Sequence, residues 1–314
     1  MHFKAGFINK GDIISKKLLH KDKSTIPHGY ALIKQSFVSL GHDDLNVDHG
    51  LFGFEGSGIV EYMSGTSTRG IKQGSRVCYS LKKAVGSAEY VILHEKNLIF
   101  VLDDVPLNLA SFARRLLTAH YLLHKMLFLQ KGTWIGIAGA GGILGQILTK
   151  WAAFCELNVV AFVGSDDKIK NTNALGAKLT LNYNDKDIVQ KSLEITKNYG
   201  LFAFYDTIGG DIFDKCKDTL SFFGKYVLVG THGGECTMSV DKLRPKSLHF
   251  IAPSIDHYKA LAFETIIGGM DFMHFLEQTK FNLNIEEFTL QQASQALLAV
   301  KNRKNDSGII LNFH

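Results

Sequence analysis

The chain has 314 residues, of which 46% are hydrophobic and 21% charged, a balance that suits a globular protein and excludes a disordered one. A formal charge of +5 suits an anionic ligand. The basic residues are scattered, however, and no basic stripe, stacking-aromatic motif or zinc-finger spacing marks a nucleic-acid partner. Cys78, Cys155, Cys216 and Cys236 stand far apart without a Cys-x-x-Cys pair, which favours reduced thiols in a cytoplasmic protein over disulfides or a metal knot. Residues 1–10 lack the apolar core of a signal peptide, and the glycine-crowded stretch 134–148 needs no bilayer, so no membrane partner is expected.

The first third reads as short strands between polar turns, over residues 2–8, 29–38, 56–62, 76–80 and 88–93, where apolar and β-branched residues alternate. Leu116, Ala119, Leu123 and Leu127 then fall at helical spacing and predict one helix over 109–129. From there strands and helices alternate regularly. Strands are expected at 134–138, 159–163, 179–181, 202–206 and 226–229. The helices between them are expected at 142–155, 168–175, 185–199 and 212–222. Short apolar strands alternating with amphipathic helices imply an α/β protein with a doubly wound parallel sheet. A further apolar strand at 248–252 would lie at the edge of that sheet. Helices at 259–277 and 290–301 and a closing strand at 308–312 read as a return to the first region.

The chemistry centres on Gly139-Ala140-Gly141-Gly142-Ile143-Leu144-Gly145, which follows an apolar strand and opens a helix. Such a turn needs residues without bulk, so that backbone N–H groups and the helix N-terminus can face a pyrophosphate. The same glycines would also serve a plain strand–helix turn without ligand. About 20 residues further on, where an NAD-binding site carries an acid for the ribose hydroxyls, this chain has Val163-Gly164-Ser165 with Lys168 close behind. A hydroxyl and a cation suit the 2′-phosphate of NADPH, although Asp166 and Asp167 lie between them and Lys168 also reads as a solvated lysine.

These segments resemble the medium-chain dehydrogenase/reductase superfamily and, within it, the zinc-free quinone oxidoreductase branch. Gly53-Phe54-Glu55-Gly56-Ser57-Gly58-Ile59-Val60 is similar to the Gly-x-Glu-x-x-Gly-x-Val segment, and Gly74-Ser75-Arg76-Val77 to the Gly-Asp-Arg-Val turn. Gly86-Ser87-Ala88-Glu89-Tyr90, Leu117-Thr118-Ala119, Asp206-Thr207-Ile208-Gly209 and Val229-Gly230 resemble later family segments in the same order. In the glycine turn, Leu144 stands where relatives commonly carry the last glycine, and Gly145 follows one residue later.

The resemblance implies a Rossmann domain over residues 116–254 and a mostly β GroES-like catalytic domain formed by 1–115 and 255–314. It implies NADPH as cofactor, held by Gly139, Ala140, Gly141, Gly142, Ile143, Ser165, Lys168, Tyr183, Gly209, Gly230, Thr231 and Arg303. It also implies a small electrophilic substrate, a quinone or α,β-unsaturated carbonyl, and a homodimer. Where zinc-dependent relatives have a cysteine and a histidine, this chain has Leu40 and Phe54, which cannot ligate a metal, so no metal site is expected. His42, His49 and His94 match no metal spacing and read as ordinary polar histidines. Without a Lewis acid, hydride transfer to a conjugated acceptor is easier than oxidation of an alcohol, and Thr118, His42 and Asp43 are the candidate catalytic residues. His42-Asp43-Asp44 also reads as a polar surface turn. Two other readings stay open, a nucleotide-binding regulatory or structural protein on the same fold and an enoyl-thioester reductase.

Overall fold

The computed structural model describes residues 2–9, 12–19, 22–302 and 306–314, and these divide into two compact units. One comprises Met1–Leu117 with Asp256–His314, the other Thr118–Ile255.

The first unit is built on strands. In chain order they are β1 (His2–Asn9), β2 (Asp12–Leu19), β3 (Tyr30–Leu40), β4 (His49–Gly50), β5 (Glu55–Met63), β6 (Arg76–Ser80), β7 (Tyr90–His94) and β8 (Leu98–Phe100). Helices α1 (Leu107–Ala110) and α2 (Ala113–His120) follow. Strand β1 pairs antiparallel with β2 and β4, while β3 pairs antiparallel with β5 and β7 at the heart of a seven-stranded sheet. Ala31, Ile33, Val60, Val77, Tyr79 and Leu98 form one buried core of this sheet.

One helix expected over 109–129 is broken into pieces, at two points where distant side chains take its backbone groups. The backbone N–H of Arg114 is captured by the Glu55 carboxylate at 2.5 Å, which caps a fresh helix start at α2. Further on, the Tyr205 hydroxyl donates to the Leu122 carbonyl at 2.9 Å, and the chain there widens into a π-helical turn over Tyr121–Met126.

In the second unit the strands are β9 (Trp134–Ala138), β10 (Asn158–Val163), β11 (Leu179–Asn182), β12 (Leu201–Asp206), β13 (Leu220–Leu228) and β14 (His249–Ile251). The helices are α3 (Ile143–Phe154), α4 (Ile169–Ala174), α5 (Ile188–Ile195) and α6 (Ile212–Cys216). All six strands are parallel in the order β11-β10-β9-β12-β13-β14, so the direction of winding reverses between β9 and β12. Burial of Val160, Phe162, Phe204, Phe213 and Tyr226 explains why these strands read as apolar runs. The helix expected over 212–222 stops at Cys216, whose carbonyl is taken by the Thr219 hydroxyl at 2.7 Å, and the chain becomes strand at Leu220.

The chain then enters α7 (Ile255–Tyr258), α8 (Ala262–Thr279), β15 (Ile285–Thr289), α9 (Ala293–Asn302) and β16 (Gly308–Asn312). Strand β16 pairs antiparallel with β3 and parallel with β15, which makes the C-terminal segment part of the first sheet.

Candidate functional site

At the C-terminal end of β9 the chain turns sharply through residues 139–145 into α3. Gly139 has φ +71°, and a Cβ there would lie 2.3 Å from the Thr207 hydroxyl, so only glycine makes this turn. Gly145 is pressed on the turn itself. A Cβ at Gly145 would lie 2.1 Å from the Gly139 carbonyl oxygen and 2.6 Å from the Ala140 Cα. The close approach of helix to strand is therefore made at Gly145, and Leu144 is half-buried beside it. Gly142 is different. It is exposed, precedes the first residue of α3, and a Cβ on it would meet only the Gly139 oxygen, at 3.4 Å. Space is open where a helix N-terminus offers free N–H groups, the arrangement a pyrophosphate requires. Ile143, half-buried, opens the helix.

Beside this turn, Gly164 follows β10 against the ring of Tyr183, whose hydroxyl leaves no room for a Cβ. Ser165 is extended and leads into a 3-10 turn over Asp166–Lys168, with Lys168 half-buried at its end. The Asp166 carboxylate, expected to trouble a bound phosphate, accepts from the Asn182 amide at 2.8 Å. One residue missed in the sequence is Lys215 on α6. Its ammonium lies 5.4 Å from the centre of the Tyr183 ring and donates to the Asn184 side-chain amide oxygen at 3.3 Å, while Asp211 pairs with it at 3.0 Å. No spacing rule links positions 183 and 215; only the return of α6 to the sheet does.

The ends of β12 and β13 carry two loops locked backbone to backbone. A Cβ at Gly209, φ +82°, would lie 2.8 Å from the Gly230 oxygen, and one at Gly230 would lie 2.1 Å from the Thr207 oxygen. Gly233 N–H donates to the Ile208 carbonyl at 2.7 Å, and Gly210 N–H to the Gly234 carbonyl at 3.0 Å. Asp206, fully buried, anchors the arrangement. Its carboxylate accepts from the backbone of Ile208 and Gly209 at 2.8 and 3.0 Å and from the Tyr226 hydroxyl at 2.6 Å. Burial raises its pKa, against the hydrogen bonds that favour the anion. Thr231 is exposed on the second loop, and Thr118 is half-buried on α2. The backbone-built residues of the expected cofactor set thus gather at the C-terminal edge of one parallel sheet. Arg303 lies outside the described residues.

His42 and Asp43 belong to the first unit, on a 3-10 turn over His42–Asn46. Asp43 is exposed and lies 3.3 Å from the Arg114 guanidinium. Its buried neighbour Asp44 holds the corner together, accepting the backbone N–H groups of Gly41 and Gly53 at 2.8 and 2.6 Å. Burial pushes the Asp44 carboxyl up to about 6. Around it runs a network of charges. Glu55, buried, binds the Arg114 backbone and the Arg115 side chain, and Arg115 also donates to the Ser39 hydroxyl and the Leu40 carbonyl. Arg114 reaches Asp256 at 3.2 Å, and Lys259 lies 3.4 Å from the same carboxylate and 2.9 Å from the Ser80 hydroxyl. Burial lowers the Lys259 ammonium to about 8. Leu40 is buried on β3 and Phe54 precedes β5. Among the described residues, no three His, Cys, Asp or Glu side chains gather as a metal site.

A family model described as zinc-binding dehydrogenase matches residues 144–263. The 2-haloacrylate reductase of a Burkholderia species is 27% identical over 266 residues, covering 82% of this chain and 80% of that protein. A quinone oxidoreductase of Pseudomonas aeruginosa is 25% identical over 263 residues, covering 82% and 81%. Among solved structures, the quinone oxidoreductase of Pseudomonas syringae pv. tomato superposes with a TM-score of 0.86 at 23% identity, covering 99% of this chain and all of that one. The Escherichia coli quinone oxidoreductase complexed with NADPH gives 0.86 at 20% identity, with 99% of both chains covered. The fold is that of a Rossmann sheet joined to a GroES-like unit. The chain is thus similar over most of its length to a 2-haloacrylate reductase and to quinone oxidoreductases, and it shares the fold of the latter.

Proposed function

We propose that the protein is a cytoplasmic, zinc-independent reductase that transfers hydride from NADPH to quinones or α,β-unsaturated carbonyls. The observation that carries this reading is the backbone-built cradle at the winding reversal of the sheet, with open space before Gly142 and a hydroxyl-and-cation rim at the end of β10. Gly139, Ala140, Gly141, Gly142 and Ile143 would hold the pyrophosphate. Ser165, Lys168 and Tyr183, with Lys215 behind the tyrosine ring, would hold the 2′-phosphate. Gly209, Gly230 and Thr231 would border the nicotinamide half, and Arg303 is added to the phosphate's partners by the family resemblance alone.

When bound, NADPH supplies a hydride. The chain's own residues then stabilise the resulting enolate or hydroquinone anion by hydrogen bonds, and Thr118 and His42 are the donors assigned to that task. Asp43 is the third residue of the proposed set, with its charge offset by Arg114. The proton comes from solvent. Residues 116–254 would form the dinucleotide-binding domain, and the rest the catalytic domain. A homodimer paired along β14, the edge strand of the sheet, completes the reading.

The test is titration with NADPH and NADH, followed by addition of a quinone and an enone. NADPH-selective binding with cofactor oxidation is the expected result. Lys168→Ala should weaken NADPH by roughly 10- to 100-fold and leave NADH within about twofold, the loss of one charge-assisted contact. Equal loss for both cofactors would remove the 2′-phosphate assignment, and binding without oxidation would favour a regulatory protein.

A further inference from the structure

The edge of the six-stranded sheet opposite the glycine loops carries an exposed aromatic patch. Two tight turns form it, one leading into β12 and one at the start of β13. They meet backbone to backbone: a Cβ at Gly200 would lie 2.8 Å from the Ser221 nitrogen. Lys197, Asn198 and Phe223 all take left-handed backbone, with φ +53°, +66° and +59°, which is unusual for residues other than glycine. On these turns Tyr199, Phe222 and Phe223 are 80%, 71% and 64% exposed.

Lysines lie on or against the same turns. Lys197 is exposed on the first turn. Lys225 stands 4.0 Å from the centre of the Phe202 ring and donates to the Phe223 carbonyl at 3.1 Å. Lys246 donates to the carbonyls of Asp218 and Leu220 at 2.7 Å. The nearby acids are Asp218, held by Lys217 at 3.0 Å, and Glu194, which accepts from Gln190 at 2.8 Å. Both carboxylates are thus already engaged.

Neither hydride transfer nor the parallel sheet requires rings in these places, and exposed apolar patches rimmed by charge mark interaction sites. We propose that this patch docks the protein on an anionic lipid bilayer, with Tyr199, Phe222 and Phe223 entering the headgroup layer and Lys197, Lys225 and Lys246 facing the lipid phosphates. Aromatic rings settle at the membrane–water interface, and lysines near an anionic surface add electrostatic attraction that salt removes. Three exposed ring tips on turns that also carry lysines suit a soft, negative surface. A patch assembled from two separate turns needs neither an apolar span nor a basic tract in the sequence.

Flotation of the full chain with phosphatidylcholine vesicles, with and without about 30% phosphatidylserine, tests the proposal. The wild type should float with the anionic vesicles at low salt and be released as salt rises. Phe222→Ser with Phe223→Asn, which keeps a residue tolerant of positive φ, should cut the bound fraction about tenfold. Lys197→Glu, on an exposed side chain, should lower it about threefold without touching the rings. Unchanged thermal unfolding and NADPH titration of these variants would establish that the fold is intact. Absence of flotation by the wild type, or flotation indifferent to both substitutions, overturns the proposal. So does a wild-type oligomer that the phenylalanine variant dissociates, because the patch would then belong to a second copy.

Discussion

Two turns at strand ends, one in each unit, are held by opposite means. The turn at 139–145 is backbone pressed on backbone: Gly139 and Gly145 interlock, and the Gln146 amide donates to the Gly141 carbonyl at 2.7 Å. The corner at 41–53 is tied by carboxylates instead, Asp44 receiving two backbone N–H groups and Glu55 fixing the start of α2 and the Arg115 guanidinium. The first device leaves its outer face bare for a ligand. The second fills its interior with paired charge and depends on protonation.

That contrast can be broken at several points. The largest effect is expected from Gly145→Val, which forces side-chain atoms against the Gly139 carbonyl and should cost about 4 kcal/mol or more in denaturant unfolding. Gly142→Val, three residues away with open space before it, should leave unfolding nearly unchanged and abolish NADPH binding. Equal destabilisation by both would mean that the turn is only structural. Next comes Glu55→Ala, which strands the Arg115 guanidinium and the Arg114 N–H, at a cost of about 3–5 kcal/mol. Asp44→Asn keeps the shape but turns an amide donor toward one of two N–H groups, and should cost about 1–3 kcal/mol.

The smallest effects concern pH. Asp44, raised by burial to about 6, holds its proton more tightly in the folded unit, so its contribution to stability falls as pH rises from about 4 to 6. Lys259, lowered by burial to about 8, has the opposite sign. The unfolded chain keeps its proton up to the ordinary lysine range, so stability rises with pH above about 8. Lys259→Met should flatten that alkaline rise in the thermal midpoint, and an unaltered slope would show the ammonium to be better solvated than its contacts imply.

The same contrast explains what could be read from the sequence. The parallel sheet was legible because its strands are buried on both faces and its helices fall between them at regular intervals. The strands at 76–80, 134–138 and 308–312 have the expected bounds. The glycine turn was legible because its residue types are dictated within seven positions. The long helix at 109–129 was not, because its interruptions come from Glu55 and Tyr205, some 60 and 80 residues away. Strands β2 and β15 also escaped. The first has its lysines within the paired segment, and the second reads Ile-Glu-Glu-Phe-Thr, with only two large apolar residues. Lys215, Asp44 and Lys259 owe their surroundings to side chains that meet only after folding, and no local pattern announces them.

Asp206 has a consequence for how the second unit breathes. Its carboxylate and carbonyl together hold Ile208, Gly209, Val229, Gly230 and the Tyr226 hydroxyl. Neither loop can release an amide without disturbing the other. In deuterium exchange the two should therefore open in one cooperative event, among the slowest in the unit, so that this pair of loops behaves as a pre-set mould rather than a lid.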